Sequence, residues 1–389
     1  MVISLALAVL WYGVIPLMGA FLTRRSWRHF RSRFNELRCT RPLTYADVTL
    51  ESQKISAMPR DFTFLGEVEA LSEEDLLWVK NEELTIPVSV KRVSIYVLPQ
   101  EAPLAYGGSS QEVPRKIAWS DVRSISEGTR IFVGGALVYK DERVLFSSLP
   151  HKPLIVILYE GDERHLIYKT IQAGRHHNEY YNKFTPFLLA LGAFSQLLMA
   201  FLYMGRPGYR GMVYLNLLAL IGPVYPFIPP GLLFTLLYRR LWKRARQYRA
   251  FRDLARLPLF HLDKEGRGVT LYTGERYEIM STNVAPLGLK KDPRCLWLED
   301  PFVKNKNQWY VCGVCPPLQE KASLPAPSLP GPSQDPLIPY MVLEANPFDL
   351  IQTYKNRAFM LEMGALAFLA GGVLLNGILA GFLLFWLSK

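Results

Sequence analysis

The chain is poor in the residues on which catalysis, redox chemistry and disulfide scaffolds are usually built. Among 389 residues there are four cysteines and six histidines, and the irregular spacing of the cysteines excludes a disulfide framework. No Walker loop, GxSxG elbow, HExxH pair or GxGxxG helix start occurs, so neither an enzyme nor a bound cofactor is expected. The first apolar run reaches arginines without a small-x-small cleavage site and is therefore expected to remain as an anchor. Charged residues are also missing from the central part of every long apolar run, where ion-coupled transport usually needs ionisable groups.

What is present is a mixture. Half of the residues are hydrophobic and mean hydropathy is +0.08, the average that results when membrane spans and polar domains share one chain. The net charge of +11 is concentrated just after the first and third apolar runs, where basic residues set topology. It points to a membrane surface with anionic lipid, and not to nucleic acid.

The pattern predicts a membrane α+β protein with four transmembrane helices and two small β-barrel or sandwich-like domains. Residues 1–23 form the first span, and 24–43 an amphipathic helix with seven arginines against Glu36. Its apolar face, Trp27, Phe30, Phe34 and Leu37, is expected to lie toward lipid and its arginines toward headgroups. Residues 44–178 read as a β-domain of short strands, an oligonucleotide-binding-type barrel being one option, with a long loop at 100–112 and a hairpin turning at Asp141-Glu142. The adjacent Gly134 and Gly135 suit a bulge or barrel bend. Spans follow at 184–204 and 212–238, joined by the turn Gly205 to Gly211. Pro223, Pro226, Pro229 and Pro230 predict a kinked or broken third span, whose freed carbonyls need partners from neighbouring helices or water. A second basic helix covers 239–257. A second β-domain covers 258–357, with a strand at 268–273 and a Pro-rich loop at 321–335. The last span is 363–387, in which Gly377 and Gly381 offer a small-residue face for a homo-oligomer.

These parts repeat. In both halves an Ile-Pro step (Ile15-Pro16, Ile228-Pro229) precedes the arginines and Pro-Leu (Pro42-Leu43, Pro258-Leu259) follows the basic helix. Phe132-Val133-Gly134-Gly135-Ala136 matches Tyr310-Val311-Cys312-Gly313-Val314, and Pro153-Leu154-Ile155 with Glu160 matches Pro336-Leu337-Ile338 with Glu344. The unit is thus span, basic helix, β-domain, span, present twice. An even number of spans per copy places both β-domains on one side of the membrane. Positive-inside counting makes that side the cytoplasm, in a bacterial cytoplasmic membrane, with both termini and the 205–211 turn outside.

The end of each copy, above all Pro339-Tyr340 to Phe348-Asp349-Leu350-Ile351 running into the last span, resembles the end of the GIDE-type membrane module of the mitochondrial ubiquitin ligase family. Glu127-Gly128 with the strand at Val133-Gly134 is similar too. The resemblance implies a β-rich domain held between two spans. It does not extend to the family's RING finger, because only Ser388 and Lys389 follow the last span, so ligase activity and zinc ligands have no positions here.

Candidate site residues are few. Cys312 and Cys315 have metal or redox spacing, with Cys295 upstream as a third ligand. The pair falls where the repeat predicts a strand, however, and ordinary core cysteines are the reading preferred here. His176-His177 are adjacent and cannot share a helical face. Asp162-Glu163 reads as a solvated turn. The remaining candidates are Arg24, Arg25, Arg28, Arg31, Arg239, Arg240, Lys243 and Arg244, which fix topology or meet lipid headgroups. The function expected is a membrane scaffold whose β-domains engage an unidentified protein partner or lipid headgroups. The alternative is a transporter or channel component using the broken third span.

Overall fold

The computed structural model describes residues 2–53, 59–72, 75–91, 93–98, 114–122, 125–140, 143–161, 163–175, 185–262, 276–290, 295–298, 308–315 and 340–387. The expected loops at 100–112 and 321–335, the strand at 268–273, Asp141-Glu142, Asp162 and His176-His177 lie outside them. One compact unit comprises His29–Ala173 and Arg252–Gln352, the other Met1–Arg28, Gly174–Phe251 and Thr353–Lys389.

In the first of these units, eight strands precede residue 160 among the described residues: β1 (Asp61–Ser72), β2 (Leu76–Lys80), β3 (Thr85–Ser89), β4 (Ser94–Val97), β5 (Arg115–Ala118), β6 (Arg130–Lys140), β7 (Arg143–Ser147) and β8 (Ile155–Tyr159). They join in the order β1-β2-β3-β7-β6-β8-β4-β5, and the additional β1–β6 pairing closes the first five into a barrel. All its contacts are antiparallel except β3–β7. The neighbours β6-β1-β2-β3 form a Greek key, and closure leaves the barrel strands without a free edge. Alternation selects the core: Leu77 and Val79 of β2 are wholly buried while Leu76, Trp78 and Lys80 are not. They pack with Phe64, Ile86, Val88, Ile131, Val133 and Phe146.

Two expectations change here. Of the bulge or barrel bend expected at Gly134 and Gly135, the bulge is not there: the β1–β6 ladder runs through both without interruption and the bulge lies in β1 between Val68 and Ala70, while the two glycines stand where β6 passes from pairing with β8 to pairing with β7. The glycine at 134 serves close approach instead, since a Cβ there would come within 2.8 Å of the Leu37 side chain. The apolar face of the first basic helix is likewise buried in protein and not turned to lipid. Phe30 stacks on Tyr96 at 3.8 Å and Phe34 meets Phe132 edge-on at 5.3 Å, while Phe34 and Leu37 have no exposed surface. Each such side chain contributes roughly 1.5–3 kcal/mol on full burial, more than a half-immersed position at a headgroup boundary provides.

The second β-domain has β9 (Arg276–Thr282), β10 (Cys295–Leu298), β11 (Trp309–Cys315) and β12 (Tyr340–Leu343). Among the described residues they form an open four-stranded sheet, β10-β12-β11-β9, and not a second barrel. The internal repeat is visible in that order. In chain order β9, β10, β11 and β12 stand for β1, β4, β6 and β8, and the three pairings agree in direction. β10–β12 is parallel like β4–β8, and β11–β12 and β11–β9 are antiparallel like β6–β8 and β6–β1. Val311 faces Val342 as Val133 faces Val156. This register sets Glu344 in the place of Leu158, two positions from the match with Glu160 read in the sequence.

The other unit holds the apolar helices. Among the described residues three are long and apolar enough to cross a membrane, within Ile3–Arg38, Thr185–Met204 and Pro347–Trp386. A fourth results if the pair Arg210–Phe227 and Gly231–Phe260, bent by 55°, is one span. The proline cluster does break the third span. The helix Arg210–Ile221 passes into a 3-10 segment, Gly222–Phe227, before Gly231–Ala255 begins. In the first span a π-helical turn, Leu10–Val14, occupies the matching place ahead of Ile15-Pro16. Proline lacks an amide hydrogen and crowds the carbonyl four residues back, which accounts for an irregular turn upstream of both Ile-Pro steps. Each basic segment continues its span helix without a break, as Ile15–Arg38 and as Gly231–Ala255. The last span likewise belongs to one helix, Pro347–Leu387, begun by Asn346, whose Oδ1 accepts from the Phe348 amide at 3.0 Å.

Candidate functional site: a basic cluster and its intramembrane supports

The basic residues singled out by the sequence divide into three groups. Arg25, Arg28, Arg239, Arg240, Lys243 and Arg244 are exposed. Arg31 is half-buried and donates to the Ala173 carbonyl at 2.5 Å, closing the end of the helix Glu163–Gln172. Other arginines of the first basic helix also serve the β-domain. Arg33 pairs with Asp61 at 3.0 Å, and the buried Arg38 donates to the Leu257 carbonyl at 3.3 Å.

Arg24, the third group, belongs to a network that the sequence did not reveal. Arg249 grips Glu362 with two hydrogen bonds of 3.1 and 2.7 Å, and Arg246 lies 4.4 Å from the centre of the Trp242 ring. Burial alone would raise the Glu362 carboxyl. The Arg249 hydrogen bond and charge, with the charges of Arg246 and Arg24, hold it below the ordinary carboxylate range instead. Three guanidiniums around one carboxylate leave an excess of positive charge beside the last span. Tyr354 completes the packing against Tyr248 and Phe251. The second basic helix thus also turns its apolar face to protein, with Ala245 and Leu254 buried. The signal available in the sequence was Glu362, an acid directly before the last apolar run.

Inside the spans, the three amides noted in the sequence all donate to backbone carbonyls. Gln196 reaches Ser4 at 3.1 Å, Asn216 reaches Met212 of its own helix at 2.7 Å, and Asn376 reaches both Tyr225 and Ile228 at 2.6 and 2.7 Å. Thr235 adds a bond to the Pro226 carbonyl at 2.6 Å. Around the break, Thr235 and the Tyr225 hydroxyl thus meet the Pro226 and Leu218 carbonyls, while Asn376 adds second bonds to the Tyr225 and Ile228 carbonyls, which also accept from the Ile228 and Leu232 amides. Of the proposed oligomer face, Gly377 lies against Tyr225 of the same chain, whereas nothing stands within 4 Å of a Cβ at Gly381. The two glycines do not form one open surface.

Two of the three candidate cysteines lie in the core of the second sheet. Cys295 and Cys312 are buried, on strands separated by β12, and they face neighbouring residues of that strand, Tyr340 and Met341. Successive residues of a strand point to opposite faces, so these two thiols cannot share a metal ion. Burial pushes the Cys312 thiol up to about 12, with a hydrogen bond involving Tyr277 acting in the other direction. Cys315 ends the same strand, which is not the strand-to-helix turn that a redox motif requires. Among the described residues no group of three His, Cys, Asp or Glu side chains is arranged to hold a metal.

No protein-family model matches the chain, and no match was found among curated proteins or solved structures.

Proposed function

We propose that the protein is an integral membrane scaffold that holds two β-domains at the surface of a bacterial cytoplasmic membrane, on its cytoplasmic side, with anionic lipid collected around the basic helices. The observation that carries this reading is the division of labour on those helices. Their apolar faces are buried in protein, while Arg25, Arg28, Arg239, Arg240, Lys243 and Arg244 remain exposed directly after apolar runs. Exposed cations at that level are worth roughly 1 kcal/mol each against an anionic surface. The β-domains then face the compartment in which a protein partner would be met.

The test uses the full chain in lipid nanodiscs of mixed anionic and zwitterionic composition. Native mass spectrometry of lipid retained by the protein is compared with that of a variant carrying Gln at all six positions. Preferential retention of anionic lipid, lost in the variant, supports the reading; equal retention of both lipids by the native chain overturns its lipid part. Affinity purification from native membranes tests the scaffold part, which predicts a co-purifying protein. The bent third span favours transport as a second reading, for which substrate-dependent flux in liposomes would be decisive.

A further inference from the structure

Two arginines occupy the turn between the second span and the broken third one. The second span, Thr185–Met204, is about 30 Å long at a rise of about 1.5 Å per residue, enough to cross the hydrocarbon core. Arg206 and Arg210 follow it directly, and both are exposed. Backbone contacts hold the turn. The Arg206 amide donates to the Tyr203 carbonyl at 3.1 Å, and the Tyr209 amide donates to the Arg206 carbonyl at 3.0 Å. A 3-10 turn, Pro207–Tyr209, leads straight into the helix Arg210–Ile221. The rings of Tyr203 and Tyr209 stack across it with their centres 5.6 Å apart. The two guanidiniums thus leave a fixed backbone beside a tyrosine pair, and tyrosine, apolar in its ring and polar at its hydroxyl, suits the boundary between hydrocarbon and headgroups.

The spans do not answer this charge. Between Glu179 and Asp253 the sequence contains no Asp or Glu, and none precedes Glu36 or follows Glu362. The β-domains, with their carboxylates, are joined to the opposite ends of the spans. In the membrane placement proposed above, the anion that meets Arg206 and Arg210 therefore comes from outside the chain. At the end of an apolar helix that anion is a lipid phosphate, which a guanidinium binds through paired, charge-assisted N–H donors. A bound phosphate also offsets two cations on the side of the membrane where positive-inside counting expects few.

We propose that the 205–211 turn binds the phosphate of an anionic phospholipid between Arg206 and Arg210, in the leaflet opposite the one that meets the basic helices. The inference rests on the membrane placement above and adds a lipid site on the other surface.

The test uses the full chain in nanodiscs containing an anionic or a zwitterionic phospholipid that carries a photoactivatable diazirine close to its headgroup. Adducts are mapped by peptide mass spectrometry. The turn should be labelled by the anionic probe at least about tenfold more than by the zwitterionic one, two cations acting together. Arg206→Gln with Arg210→Gln should remove that preference, and Lys at both positions should keep most of it. Because both side chains are exposed and the turn is held by its backbone, the melting temperature of the Gln pair should match that of the native chain. Equal labelling by the two probes, or a preference that survives the Gln pair, overturns the site. Suppression of the adducts by excess inorganic phosphate marks a free-phosphate site and overturns the lipid assignment. The variant with Gln at Arg25, Arg28, Arg239, Arg240, Lys243 and Arg244 separates the two proposals. Labelling of the turn should persist in it; a preference lost there traces to the basic helices and overturns the site. Anionic preference at the turn alone, with none at the basic helices of the native chain, supports the site and overturns the lipid part of the scaffold reading.

Discussion

Asn376 is the residue whose replacement most directly probes how the broken third span is held. Its side chain is almost fully buried, and its Nδ2 group donates to the Tyr225 and Ile228 carbonyls, which engages both of the hydrogens it has. Leucine is close in size and keeps the apolar packing, so Asn376→Leu isolates the loss of the hydrogen bonds. Interhelical bonds in membranes contribute on average about 0.6 kcal/mol and at most about 1.7. Two of them give an expected loss of about 1–3 kcal/mol. The helix break should also show coupling to Gly231, where an added Cβ would lie 2.3 Å from Asn376 Nδ2 and 2.5 Å from the Tyr225 oxygen. Gly231→Ala must therefore push the amide off its acceptors, and its cost should fall in the N376L background. The assay is reversible unfolding of the four proteins of this cycle in mixed micelles, followed by tryptophan fluorescence. A stability of N376L within about 0.3 kcal/mol of the native chain, or additive effects of the two substitutions, would refute the reasoning.

Other outcomes follow from single contacts. Gly174→Ala should lower stability by about 2 kcal/mol or more, since φ is +72° there and a Cβ would fall 2.3 Å from the Trp27 ring; thermal unfolding in detergent measures it. Cys312 should resist alkylation at neutral pH until the protein is denatured, while the exposed Cys39 reacts at once; mass spectrometry of maleimide adducts reads both. Because the Cys312 pKa is raised on folding, the stability it supports is complete below the ordinary thiol range and falls as pH rises through and above that range. The Glu362 carboxyl is lowered on folding, so the sign reverses: the Arg249–Glu362 contribution is present at neutral pH and disappears as pH falls through and below the carboxylate range. Glu362→Gln should remove that part of the acid sensitivity, as measured by unfolding across pH.

Much of the architecture was legible because it depends on one-dimensional signals. Long apolar runs, the proline cluster, Ile-Pro steps and period-two strands survive without knowledge of what they touch. The repeat survives too, and the paired order of β9 to β12 with β1, β4, β6 and β8 gives it a structural form. What the sequence did not show is which surface covers an apolar face. Trp27, Phe30, Phe34 and Leu37 have the same spacing whether lipid or a β-barrel lies opposite, and only Tyr96, Phe132 and Gly134, distant in sequence, decide for protein. The second domain was read, like the first, as a barrel or sandwich-like domain; no counterparts of β2, β3 and β7 stand among its described residues, and the sheet there is open. The Glu362 cluster was hidden for a related reason, because an acid at a span boundary looks solvated until three arginines from two other helices surround it.

The intramembrane amides bear on whether the spans conduct anything. In each copy the closing span carries one amide that donates to the backbone of the opening span, Gln196 to Ser4 and Asn376 to Tyr225 and Ile228. A donor placed at membrane depth needs an acceptor there, and each amide finds one on the opening helix, Gln196 on Ser4 ahead of the π-helical turn and Asn376 on Tyr225 and Ile228 at the 3-10 break. A neutral amide supplies that donor without the penalty of placing a charge at membrane depth. A conduction path would instead direct such groups, or ionisable ones, at a cavity, leaving the backbone to find other partners. Here the donors of Gln196, Asn216 and Asn376 all end on carbonyl oxygens, which makes them clasps within and between helices. In both copies, then, an amide of the closing helix clasps the backbone of the opening helix.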